Sequence, residues 1–172
     1  VLFPFLSSNR NKQTENIQFT IELTKIILAL NLILITLLVL FGKFLIFIFY
    51  GQDFISAYEV FLILTIGLLG ESISRTLATW VKSTLNPIIL SKVALVTLIL
   101  NLVLNFILIP SYGIYGAAIA SSISYLVRAF FLMKIFTRHT DSSFLHFFLY
   151  NLSDVKRLWS MFKSLGYKSK AN

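Results

Sequence analysis

The stretch NFILIPSYGIYGAAIASSIS, Asn105–Ser124, lies inside residues 93–127, a run of 35 residues with no charged side chain. One helix of that length would reach about 50 Å, whereas the hydrocarbon core of a bilayer is about 30 Å thick. The run must therefore turn. Pro110 and Gly113 mark the turn, because proline stops a helix and glycine frees the backbone, and Asn86 is expected to cap the first helix. The predicted hairpin has its two spans at 87–109 and 113–136.

The composition of the whole chain indicates an integral membrane protein. Of its 172 residues, 57% are hydrophobic and 13% are charged, and the mean hydropathy is +0.83. A soluble domain is about a quarter charged. The chain has no cysteine, so it has neither a disulfide framework nor a thiolate metal site. We expect an all-α integral membrane fold.

Two further spans are predicted before the hairpin, at 26–50 and 54–81. The first holds 25 residues and one lysine, and it would reach about 37 Å. We expect this span to tilt or to break near Gly42. The second is less apolar because it carries three charged residues. With the hairpin, these spans make a predicted bundle of four transmembrane helices.

The predicted organisation has three parts. Residues 21–138 form the four-span bundle, and residues 1–20 are expected to hold the end of a preceding helix and a cytoplasmic loop, with an interfacial helix over residues 9–20 as the alternative to the loop. Residues 139–172 form a basic, amphipathic cytoplasmic tail rich in aromatic side chains. We expect an interfacial helix in this tail on the anionic inner leaflet. A solvated, partly disordered tail is the alternative.

The distribution of cations supports four spans. With this span assignment, Lys43 is the one cation on the outer side, and the other 14 of the 15 Lys and Arg residues fall on the inner side. The positive-inside rule then places both ends in the cytoplasm. Adding or removing one span would scatter the cations over both sides.

Polar side chains within the spans are the candidates for function, since charge at membrane depth is costly and usually faces a cavity. Glu71 and Arg75 stand four residues apart and can pair on one helix face. We consider two interpretations: a cavity cation that binds an anionic substrate, or a neutralised structural pair near the cytoplasmic interface. Asn101 and Asn105 are expected to form inter-helix hydrogen bonds, with ligand contact as the alternative. Arg128 is expected to reach the headgroups.

Small residues recur every four positions in the fourth predicted span. This spacing aligns them in two adjacent rows on one side of a helix, where small side chains let helix backbones approach closely in lipid. We therefore predict a helix-packing surface there. The rows consist of Gly113, Ala117 and Ser121, and of Gly116, Ala120 and Ser124.

The sequence offers no motif for catalysis. His139 and His146 have no partner at metal-ligand spacing, and the chain contains no phosphate-binding glycine loop, nucleophile elbow or acidic cluster. Its cations are not interleaved with a soluble nucleic-acid fold. We expect no enzyme, no metal, no cofactor and no nucleic-acid partner.

Several segments resemble a known family. LIPSYGIYGAAIASSISY, 108–125, resembles the "LIP-x-YG-x-x-GAA-x-A" signature of the polysaccharide flippase branch of the multidrug/oligosaccharidyl-lipid/polysaccharide (MOP) exporter superfamily, and NLVLNFILIP, 101–110, extends the match. FYGQDFISAYEVFLIL, 49–64, resembles the family's "YG-x-x-F-x-x-A" passage between two spans. VLFPFLSS, 1–8, is similar to a proline-bearing helix end before these spans. The resemblance extends from Val1 to about Leu126.

The resemblance implies a transporter of twelve to fourteen helices in two lobes, working by alternating access. It implies a cargo, an oligosaccharide on a polyprenyl pyrophosphate, moved across the bacterial cytoplasmic membrane for surface polysaccharide synthesis. Arg75 is the cation that would meet the pyrophosphate, with Glu71 beside it. Because the chain begins with Val1 and has four spans, we expect the C-terminal part of such a transporter, with membrane lipids and the remaining N-terminal helices as partners.

Two alternatives come from other functional classes. A small membrane scaffold or assembly subunit would use the small-residue face to bind partner helices. An integral-membrane glycan polymerase or ligase would need large periplasmic loops, whereas the predicted outer turns are short. A scaffold would function when produced alone, whereas part of a flippase would not.

Overall fold

The computed structural model describes residues 13–140, 142–143 and 147. This part of the chain contains four long helices, each long and apolar enough to cross a membrane. They are α1 (Gln13–Tyr50), α2 (Ser56–Thr84), α3 (Ile88–Tyr112) and α4 (Ile114–Thr140), with a short 3-10 turn (Gln52–Phe54) between α1 and α2. Apart from Phe147, the predicted interfacial tail helix lies outside the described residues, as does the proline-bearing end of a preceding helix.

Helix α1 is longer and more regular than the sequence predicts. Its described part starts at Gln13, within the segment expected to be a loop or an interfacial helix, and it continues without a break through Gly42. The ring of Tyr58 lies 3.1 Å from the position that a Cβ on Gly42 would occupy. The Tyr58 hydroxyl donates to the Val39 carbonyl at 2.6 Å. Gly42 therefore makes room for a ring of α2 and does not break the helix.

The hairpin turns at one residue, Gly113, and the prediction that Pro110 ends the preceding helix is wrong. Helix α3 continues through Pro110 to Tyr112. Proline removes one backbone donor, a loss that membrane helices tolerate. Gly113 has φ +55° and donates its N–H to the Ile109 carbonyl at 2.8 Å. At the other end of α3, the Asn86 side chain accepts from the Ile88 N–H at 3.0 Å, which confirms the predicted N-cap.

Helix α4 packs against both α2 and α3, and α1 packs against α2. Helices α2 and α4 approach closely at two glycines of α2. A Cβ on Gly67 would lie 2.6 Å from Ser122 Cα, and a Cβ on Gly70 would lie 3.0 Å from the Tyr125 carbonyl oxygen. The Ser122 hydroxyl donates to the Ile63 carbonyl at 2.9 Å. This contact joins the middle of α2 to the middle of α4.

The small residues of α4 face both helices against which α4 packs, α2 and α3. Gly116 faces α3, where a Cβ would overlap the Leu108 carbonyl. Of the residues in the two predicted rows, Gly116, Ala120 and Ser124 are buried, while Ala117 and Ser121 are half-buried. Ala118 and Ser122, outside both rows, are also buried.

Gly113 does not pack against another helix: it is exposed in the turn, and a Cβ at this residue would have no neighbouring atom within 4 Å. The scaffold hypothesis needs a small-residue face that is open to partner helices. Gly116 and Ser122 instead contact helices of the same chain. This internal contact removes much of the surface on which that hypothesis depends.

The buried apolar core lies at one end of the bundle, where the start of α1 meets the ends of α2 and α4. The Trp80 and Phe136 rings are 4.7 Å apart in an edge-to-face arrangement, and Phe147 lies 5.4 Å from Phe136. The Thr24 hydroxyl donates to the Thr76 hydroxyl at 2.9 Å beside this core. Elsewhere, α1 after Leu28 and most of α3 expose large apolar side chains, as helices that face lipid or further helices do.

Replacing Gly67 with alanine is expected to lower stability. A glycine-to-alanine change in an open helix raises stability by up to about 1 kcal/mol. At Gly67 the new methyl group would press on the α4 backbone, and such overpacking costs about 1–3 kcal/mol. The apparent melting temperature of the purified protein in detergent would fall for Gly67→Ala. The control Ser121→Ala, on the other side of α4, would leave the melting temperature unchanged. Equal melting temperatures for both variants would contradict the close contact of Gly67 with α4.

Candidate functional site

Three charged side chains form a cluster across the contact between α2 and α4. Arg75 Nε donates to Glu71 Oε1 at 3.1 Å, and Arg128 Nη1 donates to Glu71 Oε2 at 3.4 Å. One carboxylate thus joins an arginine of its own helix to an arginine of a second helix. We call these three residues the Glu71 cluster. The structure corrects the expectation that Arg128 reaches the headgroups.

The Glu71 cluster lies near the middle of both helices. Glu71 is residue 16 of the 29 in α2, and Arg128 is residue 15 of the 27 in α4. The side chain of Glu71 is 15% exposed, that of Arg128 is 34% exposed, and that of Arg75 is 78% exposed. The carboxylate is therefore enclosed, while Arg75 extends outward from the bundle.

The Glu71 cluster carries more positive than negative charge. Its two guanidinium groups and one carboxylate leave a formal charge of +1, and the described residues provide no further acidic partner for either arginine. Glu59 is used elsewhere, since its Oε2 accepts from the Tyr115 hydroxyl at 2.8 Å. An arginine at the centre of a membrane costs about 3 kcal/mol or more unless it faces water or a counter-charge. The cluster is therefore suited to bind an anion.

An open groove of about 670 Å³ runs between α3 and α4, and Arg128 lies on its wall. Helix α3 contributes both polar and aliphatic side chains, and α4 contributes hydroxyl groups and the guanidinium. The polar side chains on its wall are Ser91, Thr97, Asn101, Ser121, Ser124, Tyr125 and Arg128. The groove thus connects the Glu71 cluster with a surface rich in hydroxyl and amide groups.

The asparagines of α3 do not form the predicted inter-helix bonds. The Asn105 side-chain amide donates to both the carbonyl oxygen and Oδ1 of Asn101, each at 2.9 Å, within one helix. Besides the bonds of Tyr115 and Arg128 described above, inter-helix bonds come from the hydroxyl groups of Thr24, Tyr58 and Ser122. The sequence does not reveal these three residues, because a hydroxyl side chain can bond either a neighbouring helix or the backbone of its own helix. The surrounding sequence is the same in both cases.

Metal chemistry finds no support in the part of the chain that the structure describes. No group of three or more His, Asp or Glu side chains lies close enough there to hold an ion. His139 lies at the end of α4, where its Nδ1 is 2.8 Å from the Ile135 carbonyl oxygen. His146 lies outside the described residues.

A curated protein from Haloferax volcanii, the "Probable low-salt glycan biosynthesis flippase Agl15", is similar to part of this chain. The two are 32% identical over 81 residues, which make up 47% of this chain and 17% of the relative. The matched part of this chain thus covers about a sixth of the relative's length. No family model matches the chain, and no solved structure matches it.

The four apolar helices and this similarity define the class of protein. The chain is a multi-pass membrane protein whose described part is helical, and it is distantly similar to a glycan biosynthesis flippase.

Glu71 is expected to couple more strongly to Arg128 than to Arg75. Exposed pairs four residues apart on one helix contribute about 0.3–0.5 kcal/mol, whereas removing one partner from an enclosed pair costs more. Double-mutant cycles with Glu71→Gln, Arg128→Gln and Arg75→Gln would measure both coupling energies from unfolding in detergent. Arg138→Gln, at the exposed end of α4, is the control. Equal coupling energies of Glu71 to the two arginines would contradict the described geometry of the Glu71 cluster.

Proposed function

We propose that this chain is part of a membrane flippase that moves a polyprenyl-pyrophosphate-linked oligosaccharide across the membrane, and that it is not an enzyme. The similarity to a glycan biosynthesis flippase supports transport in glycan biosynthesis. The Glu71 cluster supports an anionic cargo. It is the observation on which the proposal depends.

The chemistry of the Glu71 cluster fits a pyrophosphate. Arginine binds phosphate oxygens through two parallel N–H donors, and such charge-assisted hydrogen bonds are stronger than neutral ones. Arg75 uses Nε to hold Glu71, so its two terminal nitrogens remain available for a ligand. A pyrophosphate there would neutralise the surplus charge of the cluster and satisfy these donors.

We assign different roles to the three side chains. Arg75, which is largely exposed, makes the first contact with the anion. Arg128 lies across the helix contact and on the groove wall, so it holds the same anion from the other side. Glu71 orients both guanidinium groups, because its two oxygens each accept from one of them. Glu71 is thus a positioning residue, and the arginines bind the cargo.

The location and the larger assembly are part of the same proposal. The cation asymmetry favours both ends in the cytoplasm, and the family resemblance implies a bacterial cytoplasmic membrane. The exposed apolar faces of α1 and α3 are the surfaces on which the remaining helices of a two-lobe transporter with twelve to fourteen helices, and membrane lipids, would pack. Alternating access would then expose the Glu71 cluster to each side in turn.

Loss of either cluster arginine is expected to reduce glycan transport. In cells that produce the protein, Arg75→Gln and Arg128→Gln would each lower the amount of surface glycan by about tenfold, because each removes a charge-assisted contact of about 1.5 kcal/mol. Lys134→Gln is the matched control, since Lys134 is an exposed cation of α4 outside the cluster. Normal surface glycan with either arginine variant, at equal protein abundance in the membrane, would refute the assignment of that arginine as a cargo-binding residue.

A further inference from the structure

The groove between α3 and α4 presents polar groups that the protein does not satisfy. Within the described part of the chain, the hydroxyl groups of Ser91, Ser121 and Tyr125 form no hydrogen bond, and the side-chain Nδ2 of Asn101 has no acceptor. Thr97 and Ser124, by contrast, bond to carbonyls of their own helices. Four side chains with open hydrogen-bonding capacity thus line one groove.

Such a surface is unfavourable in hydrocarbon. Polar groups without partners in the apolar part of a bilayer cost free energy, so they normally face protein, water or a polar ligand. Ser121 and Tyr125 lie in the part of α4 between its midpoint and the turn at Gly113, so they are not at the charged end of the helix. The groove is therefore expected to hold water or a polar ligand.

The spacing along α4 relates the groove to the Glu71 cluster. Ser121 precedes Arg128 by seven residues, which is two helical turns on the same side and about 10 Å. An anion at Arg128 would thus have its next covalently linked units beside Ser121 and Tyr125. The wall opposite includes Ala94 and Leu98. Hydroxyl groups and an aromatic ring facing aliphatic side chains suit sugar rings, which combine hydroxyl edges with apolar C–H faces.

We propose that the groove between α3 and α4 is a hydrated site for the sugar units of the cargo, with the pyrophosphate held at Arg128. This inference rests on the proposed function and adds to it the place where the glycan, as distinct from its lipid carrier, is bound. The volume of about 670 Å³ lies within the usual range of small-molecule sites, about 300–1,000 Å³.

Cysteine labelling tests the inference directly, because these 172 residues contain no cysteine. Ser121→Cys changes one atom and places a thiol in the groove. Leu102→Cys is the matched control, since Leu102 is exposed on α3 but does not line the groove. In membrane vesicles that contain the full protein, a charged, membrane-impermeant thiol reagent would modify Ser121→Cys and leave Leu102→Cys unmodified. Ser91→Cys, on the opposite wall, would react like Ser121→Cys.

Two probes then separate the sugar from its carrier. Polyprenyl pyrophosphate bearing N-acetylglucosamine, at about ten times its Kd, would slow modification of Ser121→Cys roughly tenfold, because only the unoccupied fraction reacts. Polyprenyl pyrophosphate without the sugar would leave the rate nearly unchanged.

The outcomes distinguish the inference from the proposed function. No modification of either groove cysteine would mean that lipid or another helix covers the groove, and equal protection by both probes would mean that the sugar binds elsewhere. Either result overturns the inference, even if the arginine variants abolish transport. Normal transport by the arginine variants, with modification and sugar-specific protection intact, would overturn the cargo-binding roles proposed for Arg75 and Arg128 and leave the groove as a glycan site.

Discussion

The close approach of α2 and α4 at Gly67 and Gly70 is the contact on which the rest of the structure depends. In lipid, the hydrophobic effect contributes little to the association of helices, so backbone proximity and dispersion must hold them together. Because Gly67 and Gly70 have no side chains, the backbone of α2 can approach Ser122 and Tyr125 of α4 closely. The next residue after Gly70 is Glu71, so the same contact brings a carboxylate beside Arg128. A wider separation of the helices would leave this arginine without its partner.

This contact also provides a counter-charge for the arginines near the middle of α2 and α4. Glu71 is enclosed and accepts from two arginines, so neither guanidinium faces hydrocarbon without a counter-charge. The remaining positive charge and the polar groove beside Arg128 are the two features from which we propose an anionic, hydroxyl-rich ligand. The proposed roles of the cluster and the groove thus follow from one packing arrangement. Helix α4 forms the cluster with α2 and the groove with α3.

The sequence predicts the elements well because their signals are local. Charge-free runs predict four helices, and Asn86 marks the start of α3 through its capping side chain. The site is harder to predict because its partners are distant in the chain: Arg128 meets Glu71 across 57 residues, and no local pattern encodes this pairing. Gly67 and Gly70 likewise look like isolated glycines in a span until α4 is placed against them.

The rows of small residues in α4 show the same limit of prediction from sequence. A spacing of four predicts one packing face, but α4 has two neighbours, so Ala118 and Ser122 are buried as well as Gly116. Gly113 has the right spacing for a row, yet its positive φ makes it the turn. Pro110 shows the converse, since a residue that usually ends a helix lies within one. In each case tertiary contacts or backbone geometry decide between roles that the sequence leaves open.

The central claim is that Arg75 and Arg128 together hold an anion against Glu71. The most direct test measures the affinity of the purified protein for polyprenyl pyrophosphate, with polyprenol as the uncharged reference. We expect Arg75→Gln/Arg128→Gln to weaken pyrophosphate binding at least about tenfold, or about 1.4 kcal/mol, and to leave polyprenol binding unchanged. Equal affinity of the wild type and the double variant for polyprenyl pyrophosphate would contradict it.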